Sequence, residues 1–197
     1  MLDIVIATRN PHKIRELVAL IAVPGIRWRS LAEFPSVGAI PERGRTFRAN
    51  AITKAKAAAR ATGGWALADD SGIEVDVLEG APGIHSARFA GRHGDDQANN
   101  QKLLRVLAGV PSATRTARYR CVLVLASPQR VVAVTEGVFE GRIARAQAGR
   151  RGFGYDPIFT VPRLGKTAAQ LSTATKHRIS HRGKAARAMR HALRALI

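Results

Sequence analysis

The stretch "DIVIATRNPHKIRELVALI", residues 3–21, decides the fold class. Its first residues are a β-branched run that favours a strand. Asn10 then offers a capping oxygen, and Pro11 follows at the first helical position, where its missing N–H costs nothing. Ile14, Leu17, Val18 and Ile21 recur at helical spacing. Strand, tight turn and helix in this order are the building unit of an α/β protein.

The pattern continues outward from there. "IRWRSL" (26–31) reads as a second strand, and residues 46–62 as an Ala-rich helix stopped by Gly63-Gly64. "WALA" (65–68) reads as a short strand that ends at a carboxylate pair, Asp69 and Asp70. Ile73, Val75 and Val77 alternate with Glu74 and Asp76, which predicts a separate extended segment with one wet face. After the turn "GAPG", residues 95–108 return to helix. "TARYRCVLVLA" and "RVVAVTEGVFEGR" read as two long strands joined at Ser127-Pro128. The final helix, "SHRGKAARAMRHALRALI", takes Ser180 as its cap and turns Ala185, Met189, Leu193 and Leu196 inward.

A chain of 197 residues with 46% hydrophobic content can bury a proper core as one large domain or two joined lobes. No apolar stretch approaches the roughly 20 residues that span a bilayer, and Met1-Leu2-Asp3 does not begin a signal peptide, so the cytoplasm is expected. The single cysteine, Cys121, sits in an apolar run as a buried core thiol and excludes a disulfide within the chain.

The formal charge is +18, from 32 basic and 14 acidic residues. After Asp156 no acid occurs, while nine Lys or Arg and three His do. The arginines are scattered and aromatics make up only 5% of the chain, so nucleic acid is not expected as a partner beyond non-specific charge attraction. A polyphosphate substrate accounts for the asymmetry, with one acidic locus for a cation and a basic remainder for phosphates.

Three segments carry candidate chemistry. In "TRNPHK" (8–13) a strand gives way to a helix, whose free N–H groups and dipole, with Lys13, suit an anion; a plain capped turn has the same residues. Five of the 14 acids, Asp69, Asp70, Glu74, Asp76 and Glu79, fall within eleven positions. Adjacent aspartates repel unless something compensates, and Mg²⁺ is the economical choice. The alternative is a Ser-Gly turn capped by the two acids. Glu42 can supply a further carboxylate. In "GFGYDPIF" (152–159) and "KHRISHRGKA" (176–185), glycines admit a flat ligand, Phe153 and Tyr155 offer faces, Asp156 can accept, and Lys176, His181 and Arg182 can donate. The alternative is a Gly-aromatic bulge in a sheet with a helix cap.

Together, "ATRN..K", "ADDSG.EVD.L.GAPG..SARF.G", "GFGYDPIF.VP..GKT.A.L" and "K..ISHRGKA" resemble, in order and over essentially the whole chain, the inosine/xanthosine triphosphate pyrophosphatases, the non-canonical purine NTP pyrophosphatases (ITPases). The resemblance implies a single domain over 1–197, an elongated two-lobed α/β fold with a mixed sheet and a central active-site cleft, and a homodimer. It implies Mg²⁺-dependent hydrolysis of ITP, dITP and XTP to monophosphate and pyrophosphate, which cleanses the nucleotide pool. By resemblance Thr8, Asn10 and Lys13 contact phosphate, Asp70 is the catalytic acid that serves as general base or metal ligand, and Asp69 supports it. Ser71 contacts substrate, Glu42 accompanies the metal, and Phe153, Gly154, Tyr155, Asp156, Lys176, His181 and Arg182 form the nucleoside and base site. The chain departs from the family pattern at Arg9, Pro41 and Arg48-Ala49. Modified pyrimidine or methylated nucleotides stay open as substrates, because the resemblance identifies the bond better than the base.

Overall fold

The structure, a computed structural model, describes residues 1–197. Seven strands hydrogen-bond in the order β2-β1-β3-β4-β5-β6-β7. They are β1 (Leu2–Ile6), β2 (Ile26–Ser30), β3 (Trp65–Val75), β4 (Thr116–Ala126), β5 (Val131–Ile143), β6 (Phe159–Val161) and β7 (Lys166–Thr167). The helices are α1 (Pro11–Ile21), α2 (Phe47–Thr62), α3 (Asp96–Val106), α4 (Thr173–Ile179) and α5 (His181–Arg194). β1 pairs in parallel with β2 and β3, whereas β6 pairs antiparallel with β5 and β7, so the sheet is mixed and the fold is α/β. No helix is long and apolar enough to cross a membrane.

The chain divides into two compact units. Unit 1 is built from residues 1–71, 121–137 and 181–197, and unit 2 from 72–120 and 138–180. In unit 1, Leu17, Leu20 and Ile21 of α1 and Ala185, Met189 and Leu193 of α5 bury against Ile4, Ile6, Leu67, Leu123 and Leu125 of the strands. In unit 2, Ile73, Val75, Leu103, Leu107, Tyr119, Phe139, Tyr155, Ile158 and Phe159 make the core.

The sequence expectations hold for most elements. Asn10 caps α1 with Pro11 at its start, and Thr46 caps α2, which Gly63 ends in the left-handed conformation. Cys121 is fully buried. The stretch from Trp65 to Leu78 differs. β3 does not stop at the carboxylate pair but runs through it for 11 residues, and the expected separate segment is its continuation. Asp76–Leu78 is a single 3₁₀ turn that leaves Val77 exposed. A glycine at 72 and two acids lower the strand propensity of this stretch. Pairing with neighbouring strands overrides it. The sequence reading also left out α4 and the short β6 and β7, which are too brief to show a period.

Candidate active site

Because β3 continues through Asp69 and Asp70, the two side chains project to opposite faces of the strand. Adjacent in sequence, the two carboxylates meet different cations, Lys13 and Arg182 at Asp69 and Lys54 at Asp70.

On one face Asp69, 1% exposed, is held by α1 and α5. Lys13 Nζ lies 2.6 Å from its Oδ1, and Arg182 Nε donates to its Oδ2 at 2.8 Å. The Ser71 hydroxyl and the Cys121 thiol donate to the same carboxylate, at 2.8 and 3.3 Å. Arg182, itself buried, also donates to Ser71 Oγ at 2.8 Å and to Glu16 Oε2 at 2.6 Å. Burial alone would raise the Asp69 carboxyl; the Arg182 guanidinium and the Lys13 ammonium outweigh it and hold the group well below the usual carboxylate range. Burial and the Asp69 charge push the Cys121 thiol far up, so it stays an S–H donor.

On the other face α2 supplies Lys54. Ala51, Ala55 and Ala58 are fully buried, and Lys54 lies on the same stripe at helical spacing, almost enclosed. Its ammonium donates to Asp70 Oδ1 at 2.7 Å, to Glu42 Oε1 at 2.8 Å and to the Asp69 carbonyl at 2.8 Å. The loop carrying Glu42 is fixed by Asn50, whose Oδ1 accepts from the Gly44 N–H at 2.7 Å. A side chain at 44 would collide with that amide, 2.6 Å away. Burial pushes the Asp70 carboxyl up, and the Lys54 ammonium opposes this only in part. For Lys54, burial would lower the ammonium, but Asp70 and Glu42 leave it raised and charged.

These seven side chains bring together four carboxylates (Glu16, Glu42, Asp69, Asp70) and three cations (Lys13, Lys54, Arg182). The locus is therefore net negative in a chain of charge +18. Asp70 and Glu42 are the residues that can hold a metal ion. Both carboxylates already converge on one cation, and such hard oxygen donors suit Mg²⁺, which keeps waters and takes further oxygens from phosphate. No group of three or more His, Cys, Asp or Glu forms a metal cage within the chain.

The turn before α1 is less open than its sequence suggests. Asn10 Oδ1 accepts from the His12 and Lys13 N–H groups at 2.9 and 3.3 Å, and the Asn10 N–H donates to Thr8 Oγ1 at 3.2 Å. Capping has used two of the amides expected to face an anion. Arg9 donates to the Val37 carbonyl.

Phe153, Gly154, Tyr155, Asp156 and Lys176 lie in unit 2, whereas His181 and Arg182 lie in unit 1. Asp156, 2% exposed, accepts from the Phe153 N–H at 3.0 Å, from Lys176, and from the Tyr119 hydroxyl at 3.4 Å. The Lys176 ammonium also stands 5.2 Å from the Phe153 ring centre. Tyr155, expected to offer a stacking face, is instead part of the unit 2 core, and its hydroxyl donates to the Ser86 carbonyl at 2.8 Å. Phe153 is the ring left half-buried. His181, 5% exposed, opens α5, and its carbonyl passes so near Gly137 that a Cβ there would lie 2.1 Å away.

Gly152 is in the left-handed region at φ +79°, and a Cβ there would fall 1.9 Å from Asp156 Oδ2. Gly152→Ala is expected to cost more than the roughly 1–2 kcal/mol of a left-handed alanine, because the Asp156 carboxylate must also move. Thermal unfolding of the variant measures the loss, and an unchanged melting temperature would show that the loop relaxes freely.

Two residues escaped the sequence reading. Lys54 carries a legible signal, a lysine in phase with the alanine stripe of α2. Glu16 has none, because its partner Arg182 is 166 positions away.

The sequence model of the Ham1 family matches residues 4–192. The dITP/XTP pyrophosphatase of Desulforamulus reducens is 52% identical over 184 residues, which cover 93% of this chain and 92% of that protein. That of Geobacillus kaustophilus is 50% identical over 185 residues, covering 94% and 91%. Among solved structures, a HAM1 protein from Coxiella burnetii aligns with a TM-score of 0.90 at 42% identity, over 99% of this chain and 100% of the other.

Proposed function

Because the chain belongs to the Ham1 family, we propose that it hydrolyses non-canonical purine nucleoside triphosphates, dITP, XTP and ITP, to the monophosphate and pyrophosphate. The observation that carries this reading is the convergence of Asp70 and Glu42 on the Lys54 ammonium, beside an Asp69 held by Lys13 and Arg182.

Asp70 is the general base. A carboxyl raised by burial keeps a higher proton affinity than a free aspartate and so takes a proton from an attacking water more readily. Asp70 and Glu42 would hold Mg²⁺, which when bound would neutralise phosphate charge and orient the attacking water. Lys54 holds the two carboxylates together and keeps them from repelling each other. Lys13, its side chain 18% exposed, is the cation of this cluster that meets solvent most, and offers its remaining N–H bonds to phosphate. Asp69 does not react; with two cations on it, it stays ionised and fixes Lys13 and Arg182 in place. Phe153 stacks on the purine, as any π face can. Hypoxanthine and xanthine carry a C6 carbonyl where adenine carries an amino group, so a fixed donor facing C6 is matched by the former and opposed by the latter. A homodimer in the cytoplasm is part of the same reading.

The test is pyrophosphate release from a panel of nucleoside triphosphates with Mg²⁺, at low and high salt. Turnover of dITP and XTP well above that of ATP and GTP is expected. Equal turnover of all four, or none, would overturn the reading.

The pH profile gives a second test. Activity requires ionised Asp70, so it falls as pH drops through the raised Asp70 pKa. Lys54 is the charge that lowers that pKa most, with Lys13 adding less. Lys54→Met is therefore expected to move the acid limb of kcat/KM to higher pH, whatever it does to the height of the profile. A limb that stays in place or moves down would remove Asp70 from the role of base.

A further inference from the structure

The Gly154 peptide is gripped at both ends by one helix. Its N–H donates to Asp96 Oδ2 at 2.6 Å, and its carbonyl accepts from Asn100 Nδ2 at 2.9 Å. Asp96 is the first residue of α3 and Asn100 is one turn on, so the two side chains stand on the same face. Neither contact belongs to the helix's own capping, which Asp95 performs by accepting from the Ala98 N–H at 3.0 Å. Asn100 is 3% exposed, and its Oδ1 is buried with no hydrogen-bond partner. Leaving an acceptor buried and unpaired is unfavourable, so the bond its Nδ2 makes to Gly154 is what orients this amide. The chain just beyond α3 is also anchored, since buried Arg115 donates to the carbonyls of Leu107, the C-cap, and Val110 at 2.6 and 3.1 Å.

The grip bears on Phe153. Its own N–H is fixed by Asp156, and the peptide that follows it is fixed by Asp96. Gly154 sits at φ +63°, and a Cβ there would meet nothing within 4 Å, so glycine is required by the backbone conformation and not by space. A loop held at its backbone on both sides of one aromatic residue has little freedom left in where that ring stands.

We propose that Asp96 and Asn100 are positioning residues for nucleoside binding, a polarised clamp, acceptor at one end and donor at the other, that sets the Phe153 ring. The proposal rests on the reading that Phe153 stacks on the purine. It is distinct from general stabilisation because the clamp has a sense: a carboxylate belongs at 96, and a donor at 100.

The experiment uses Asp96→Ala, Asp96→Asn, Asn100→Ala and Asn100→Asp in the full chain, with Phe153→Ala for comparison and circular dichroism melts to confirm folding. Steady-state kinetics on dITP are read together with hydrogen exchange at the Gly154 amide. Losing one such bond is worth roughly tenfold, so Asp96→Ala is expected to raise KM about tenfold with kcat little changed, and to speed exchange at Gly154. Asp96→Asn, whose amide oxygen still accepts, restores both. Asn100→Asp, which turns a carboxylate toward a carbonyl, is expected to be worse than Asn100→Ala. Unchanged exchange in Asp96→Ala, no rescue by Asn at 96, or a loss confined to kcat would each overturn the clamp. If Phe153→Ala leaves KM unchanged, the stacking reading fails and with it the clamp's role in nucleoside binding; exchange at Gly154 then reports on the backbone contact alone.

Discussion

Asp70→Asn is expected to lower kcat for dITP by about a hundredfold or more while KM stays within a few fold. The substitution keeps the shape of the side chain and an oxygen that can accept from Lys54, so the fold of unit 1 has no reason to change. What it removes is the negative charge, and with it both the proton acceptor and one of the two carboxylates that converge on a single cation. In the role of base proposed for Asp70 that charge is used chiefly as the water attacks, so with Mg²⁺ saturating the loss falls mainly in kcat. The variant also ceases to titrate at position 70, so the acid limb assigned to Asp70 should vanish from whatever activity remains. Near wild-type turnover at saturating Mg²⁺ would show that another group is the base.

Arg182→Ala is expected to be the most damaging single change to unit 1. The guanidinium is 2% exposed and bonds Asp69, Ser71 and Glu16 at once. Truncating it leaves buried Asp69 and half-buried Glu16 each short of a partner, a loss of about 3–5 kcal/mol for breaking a buried pair. The sequence reading placed this arginine among the donors of the base site, which predicts a narrowed gap between ITP and ATP. Its engagement by carboxylates of unit 1 favours a different outcome, in which the variant loses activity on both nucleotides in the same proportion and melts at a much lower temperature. A stable variant with only its base preference altered would restore the original assignment. Arg182→Lys, which keeps a charge but not the fork, should fall between, since one ammonium cannot span Asp69 and Glu16 together.

The parts of this protein legible in its sequence are those whose causes are local. Asn10 before Pro11, Thr46 before the alanine run and Gly63 after it fix two helices by chemistry within a few residues. The acid pair was visible as an anomaly of composition. Its arrangement was not, because the continuation of β3 through it depends on strands far away in sequence, and that continuation sends Asp69 and Asp70 to opposite faces. The same limit hid the internal partners of Asp156, which accepts from Lys176 and the Phe153 N–H. Lys54 was within reach, since a buried stripe of alanines interrupted by a lysine implies a buried partner for its charge.

Unit 1 is assembled from three separated stretches of chain, and the last of them, residues 181–197, supplies Ala185, Met189 and Leu193 to its core and Arg182 to Asp69. As the protein is made from its N-terminus, all of unit 2 is available before any of these residues exists. During that interval β1, α1 and the first half of β3 have no α5 to cover them, and Asp69 has Lys13 but not Arg182. Domains generally fold as units while the chain emerges, at roughly 5–20 residues per second. The order of synthesis is thus the reverse of the order in which the two units begin in the sequence. Unit 2 can close first, and Asp69 and Glu16 are the carboxylates that wait longest for a partner, since Arg182 belongs to the last stretch made.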